Sequence, residues 1–136
     1  MKDTDLAWAA GIIDGEGCLY ISKSQALYLR VSMTDYPTVK RLHTMFAVGV
    51  FDLAIKRGVG NWRSTYSWIC AAKDTRTVLL LVRPYLFTKL DQAEIALDYV
   101  FLPPMKKEDR TAARERMYIR MKICKEKEWD WSLSEE

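Results

Sequence analysis

Glu16 is the residue from which chemistry can be argued most directly. It lies in the run Ala9-Ala10-Gly11-Ile12-Ile13-Asp14-Gly15-Glu16-Gly17, where the apolar spacing marks the end of a helix. A carboxylate there, beside the free carbonyl of Gly15, is a pair of hard oxygen donors suited to Mg²⁺, with Mn²⁺ as the expected substitute. Upstream, Ala7, Ala10, Gly11 and Asp14 recur at i, i+3, i+4 and i+7, a stripe of small side chains on one helix face. Such a stripe lets two helix backbones approach closely, while Trp8, Ile12 and Ile13 remain to anchor the helix in its own domain. Two copies paired in this way bring two carboxylates together across a two-fold axis. That arrangement suits attack on two opposed phosphates by metal-activated water. The competing reading is an ordinary amphipathic helix with a Gly-rich end, in which Asp14 is a dipole mismatch and Glu16 a surface acid. His43 is the single histidine, so a His-based site has no second imidazole.

These residues need elements to position them. The first helix is expected over Asp5–Asp14, capped by Asp3 or Thr4, ending near Gly15 and broken by Gly17. From Cys18 to Met33 the apolar period switches to two, a hairpin turning around Lys23 to Gln25. Asp35 caps a second helix that has Pro37 in its first turn and a stripe of Val39, Leu42, Met45 and Phe46. A second hairpin follows, with strands over about Val50–Lys56 and Trp62–Ala71 around the turn Arg57-Gly58-Val59-Gly60-Asn61. Helices over about Asp74–Leu86 and Lys89–Phe101 come next; Thr88-Lys89-Leu90-Asp91 has capping-box form with Asp in the Glu position. After Pro103-Pro104 a basic helix runs over about Lys106–Glu126. The expected fold is thus a mixed α/β (α+β) domain: a four-stranded antiparallel sheet covered on one face by helices. Residues 1–102 form its core, and 103–136 a basic helical extension packed on the same domain. The free sheet face then carries Tyr20, Ser22, Tyr28, Arg30, Ser32, Asp52, Lys56, Arg63, Thr65 and Ser67. Hydrogen-bonding groups on a strand face long enough to lie along a groove are what base readout requires. A solvated outer face is the plain alternative.

The run from Ala9 to Gly17 resembles the nine-residue signature of the LAGLIDADG homing endonucleases, with Ala9 for the leading Leu, Gly15 for the second Ala and Glu16 for the second acid. Val48-Gly49-Val50-Phe51 is similar to the family's short Gly-containing approach to its third strand. Arg83-Pro84-Tyr85-Leu86-Phe87-Thr88-Lys89-Leu90-Asp91-Gln92-Ala93 is similar to a later segment in which Pro-Tyr-Leu precedes a Lys and then Gln-Ala. The resemblance implies an αββαββα fold with a saddle-shaped sheet bound along double-stranded DNA. It also implies catalytic roles for Glu16 and for Lys89, the latter stabilising charge or positioning water. One motif per chain implies a homodimer acting on a near-palindromic target, with cleavage across the minor groove and short 3′ overhangs. Many members carry Gln or Asn at the end of the second strand; that place falls on Met33 or Thr34 here. Two rivals use the same scaffold: an intron maturase that binds RNA, and a catalytically silent DNA-binding regulator.

Composition is compatible with these readings. The net charge of +3 is a weak pointer to nucleic acid, but between Met105 and Lys127 nine Lys/Arg face only four Asp/Glu, so the end of the chain is locally basic. The longest aliphatic run, Val78 to Val82, is too short to span a bilayer. Cys18, Cys70 and Cys124 have neither zinc spacing nor the form of a disulfide framework. With no secretory leader at the start of the sequence, the expectation is an intracellular setting, in a prokaryotic cytoplasm or an organelle.

Overall fold

Helix α1 (Asp3–Glu16) runs straight into strand β1 (Gly17–Ile21) without a linker. Gly17 permits that junction, because a Cβ there would lie 2.6 Å from the Ile13 carbonyl oxygen. The structure, a computed structural model, describes residues 1–54 and 64–127. After β1 come β2 (Leu27–Met33), α2 (Tyr36–Phe46), β3 (Val50–Ala54), β4 (Thr65–Ala71), α3 (Ala72–Val82), a 3₁₀ turn (Arg83–Tyr85), α4 (Leu90–Val100) and α5 (Lys107–Glu126). The four strands form one antiparallel sheet in the order β1-β2-β4-β3. The two hairpins therefore join through their second strands, β2 and β4.

Alternation divides the sheet as the period of two requires. Leu19, Ile21, Leu27, Leu29, Val31, Trp68 and Cys70 are buried on one face. Helices cover that face with Ala9, Ala10 and Ile13 of α1, Val39, Leu42 and Phe46 of α2, Val78, Leu79 and Val82 of α3, and Ala93, Ala96 and Leu97 of α4. Trp68 anchors this layer: its ring stacks on Phe46 at 5.5 Å and its Nε1 donates to the Val48 carbonyl at 2.9 Å. Gly49, at φ +82°, passes so close that a Cβ would lie 2.8 Å from that nitrogen. Burial first, and then the Asp74 carboxylate, push the Cys70 thiol up to about 12. α5 contributes Met121 to the core and packs along α4 and the β1 edge.

Several expected boundaries move. α1 starts at Asp3 with Lys2 as its N-cap, and it continues through Gly15 to Glu16. Asp35 caps α2 as expected, accepting from the Thr38 backbone N–H at 3.2 Å. α3 begins directly after β4 at Ala72 and stops at Val82, since Pro84 follows in a 3₁₀ turn. The capping box at Thr88 to Asp91 does not form; Lys89 is the N-cap of α4, without a side-chain cap bond. Lys56, Arg63 and the Gly-rich segment expected to turn between them lie outside the described residues, as do residues 128–136.

Candidate active site and nucleic-acid interface

The end of α1 is where the separate parts of the chain meet. Gly17 donates the last helical bond to the Ile13 carbonyl, so the carbonyls of Asp14, Gly15 and Glu16 lie beyond the helix's own donors. The Lys89 ammonium donates to the Asp14 carbonyl at 2.7 Å, a cation placed at the negative end of the helix. In the reverse direction the Asp14 carboxylate accepts from the backbone N–H groups of Phe87 (2.8 Å) and Lys89 (2.9 Å). Asp14 thus ties the segment leading into α4 to the end of α1. Lys89 is thereby brought beside the turn that carries Glu16, and the Glu16 side chain is exposed. Phe87, held by the same carboxylate, is 90% exposed.

The stripe expected on α1 is rotated from its sequence reading. Ala10 is 0% exposed and packs in the chain's own core, so it has no surface for a second copy. Asp14 is half-buried and occupied by Phe87 and Lys89. Ala7, Gly11 and Gly15 are exposed, at i, i+4 and i+8, and a Cβ on either glycine would meet nothing within 4 Å. Trp8 and Ile12, expected to anchor the helix inward, are only half-buried; Ile13, Ala9 and Ala10 do the anchoring.

On the sheet face away from the helices, cross-strand register sets the rows. Tyr20 pairs with Tyr28, and their rings stack at 5.3 Å. Cys18, Arg30, Ile69 and Val50 form the next row, and Ser32, Ser67 and Asp52 the one after it. Thr65 pairs with Ala54 beyond them. Ser22, past the end of β1, closes the hairpin by accepting from the Ala26 N–H at 3.1 Å; it serves the turn rather than the strand face. Ser67 is only 2% exposed, because Arg30 and Ser32 of the neighbouring strand lie against its hydroxyl. Val50, 64% exposed on this face, was missed by the sequence reading. Its apolar side chain carries no hydrogen-bonding signal, though apolar groups do meet thymine methyls. At the end of β2, Met33 packs against the core and Thr34 is exposed.

Among the described residues no group of three His, Cys, Asp or Glu gathers to hold a metal. One exposed carboxylate with helix-end carbonyls beside it still fits Mg²⁺, which keeps several waters and takes its remaining ligands from one or two carboxylates and substrate phosphates. The donor set is hard oxygen throughout, and no thiol or imidazole stands in that turn.

No family model matches the sequence, and no curated protein is detectably similar to it. Solved structures are. The homing endonuclease I-CvuI, in complex with its target in the presence of calcium, superposes with a TM-score of 0.73 at 19% identity, over 92% of this chain and 84% of that one. The archaeal intron-encoded homing endonuclease I-Vdi141I, complexed with DNA, gives 0.66 at 12% identity over 96% and 89% of the two chains. The LAGLIDADG homing endonuclease I-SmaMI, bound to cleaved DNA, gives 0.61 at 20% identity over 96% of this chain and 46% of that one. The chain has the LAGLIDADG homing-endonuclease fold.

Proposed function

We propose that the protein is a sequence-specific, divalent-metal-dependent DNA endonuclease that acts as a homodimer on a long, near-palindromic target. The observation that carries this reading is the junction at the end of α1: an exposed Glu16, helix-end carbonyls and the Lys89 ammonium held at 2.7 Å from the Asp14 carbonyl, on a fold shared with DNA-bound endonucleases.

Glu16 and the Gly15 carbonyl would hold Mg²⁺, which supplies an activated water and neutralises charge on the phosphate. Lys89 offers a fixed cation where charge builds on the phosphate oxygens, and Asp14 fixes the backbone from which Lys89 projects. Each chain provides one such turn, so cutting both strands calls for two copies. The exposed Ala7, Gly11 and Gly15 face supports pairing through α1, since it leaves room for a second backbone. This chain spans 46% of I-SmaMI and 84% of I-CvuI. The polar sheet face would then lie along the major groove of each half-site, with Tyr20, Tyr28, Arg30, Thr65, Asp52 and Val50 nearest the bases.

The test is incubation with a randomised double-stranded DNA library and Mg²⁺, followed by sequencing of the cut ends. A nuclease of this kind enriches one near-palindromic sequence cut on both strands. An uncut library with selective retention of one duplex points to a silent DNA-binding protein, and selective retention of structured RNA alone points to a maturase.

A further inference from the structure

We propose that Arg30 reads a guanine edge and that Ser32 and Ser67 touch no base but hold its guanidinium ready; the inference rests on the DNA-directed function proposed above. The Arg30 Nε donates to the Ser32 hydroxyl at 2.9 Å and its Nη2 to the Ser67 hydroxyl at 3.3 Å, while the two hydroxyls lie 2.8 Å apart. Ser32 and Ser67 face each other directly in the β2–β4 register, so the backbone ladder sets their separation. Ser67, at 2% exposed, is out of reach of a groove, and its hydroxyl is engaged within the trio. Arg30 itself is exposed.

Bonds on Nε and Nη2 leave both Nη1 hydrogens and the second Nη2 hydrogen outward. Those are the donors that bind guanine O6 and N7 bidentately. The rest of its cross-strand row is Cys18, Ile69 and Val50, so Arg30 is the charged strand residue of that row, and the Lys125 ammonium of α5 lies at its edge, 3.8 Å from the Cys18 sulfur. Among the described residues no carboxylate forms an ion pair with it. An unheld arginine loses its rotamer freedom when it binds, whereas a side chain already bonded in place loses less. Ser32 and Ser67 are therefore positioning residues, and their contribution passes entirely through Arg30.

The experiment compares base preference, by both binding and cutting of randomised duplexes, for the wild type, Arg30→Ala, Ser32→Ala, Ser67→Ala and Arg30→Ala/Ser67→Ala. Arg30→Ala should lower the preference for guanine at one symmetric pair of positions by roughly fivefold to a hundredfold. Either serine variant should lower it at the same pair by roughly two- to tenfold, and Ser67→Ala should add nothing once Arg30 is gone. In the free protein, the Arg30 Nε–H should exchange with water faster in Ser32→Ala than in the wild type. A serine variant that shifts a different base pair, or acts equally without Arg30, overturns the proposal. So does an Arg30→Ala protein weakened alike on every sequence, the signature of a phosphate contact. A wild type that cuts with a preference unmoved by Arg30→Ala sinks this inference alone. A wild type that neither binds nor cuts any duplex removes the proposed function and this inference with it.

Discussion

Gly11→Leu should push folding and assembly in opposite directions. In the single chain the site is open: nothing lies within 4 Å of an added Cβ, and Gly11 is mid-helix in α1. Replacing an exposed interior helical glycine with a good helix former gains about 0.5–1 kcal/mol, so the isolated subunit becomes slightly more stable. In the proposed dimer the same position is where two backbones meet. Two leucines forced into a close-packed crossing cost about 1–3 kcal/mol each by overpacking, or about 2–6 kcal/mol for the symmetric pair. At about 1.4 kcal/mol per factor of ten, dimerisation should weaken roughly thirtyfold to twenty-thousandfold. Sedimentation equilibrium over a dilution series reads the second effect, and denaturant unfolding below the dimer dissociation constant reads the first. Cutting of both strands should fail in proportion to the lost dimer. Equal sedimentation of wild type and variant as dimers would refute pairing through this face, and a wild type that stays monomeric at micromolar concentration with DNA present would refute the homodimer outright.

Glu16→Gln should bring cleavage in Mg²⁺ below detection while specific DNA binding changes by less than about tenfold, since an amide is a poor ligand for this ion; undiminished cutting would remove Glu16 from the site. Asp14→Ala strips the acceptor from two backbone N–H groups and should destabilise the subunit by about 2 kcal/mol, a fall in Tm of about 7 °C. An unchanged melt would mean that the contacts of Asp14 with Phe87 and Lys89 contribute nothing. At pH 8 a disulfide-exchange reagent should label Cys18 promptly, because it is exposed, and leave Cys70 untouched until unfolding, because it is buried with its thiol pushed up to about 12. Prompt modification of Cys70 in the folded protein would contradict the Trp68 and Cys70 core.

The sheet was legible because its period of two leaves little choice: once Leu27, Leu29 and Val31 turn inward, Tyr28, Arg30 and Ser32 must turn outward. What alternation does not supply is the neighbour. Ser67 falls on the outer face as expected, yet it is covered, because β2 and β4 pair across 35 residues and bring Arg30 over it. The first helix shows the complementary limit. Spacing places Ala7, Ala10 and Gly11 on one stripe, but alanine is small enough for either a partner or the chain's own core, and packing rotated Ala10 inward. Asp14 is the clearest case. Within its own helix it is an acid at the wrong end of a dipole, and Thr88 to Asp91 reads as a self-sufficient cap. Together they resolve differently: the carboxylate reaches N–H groups 73 and 75 residues away, and the Lys89 ammonium returns to the helix end. The local mismatch in α1 and the segment leading into α4 therefore meet in one reciprocal contact. That contact places the lysine beside the carboxylate-bearing turn, so a residue that looks unfavourable in its own segment is what assembles the site.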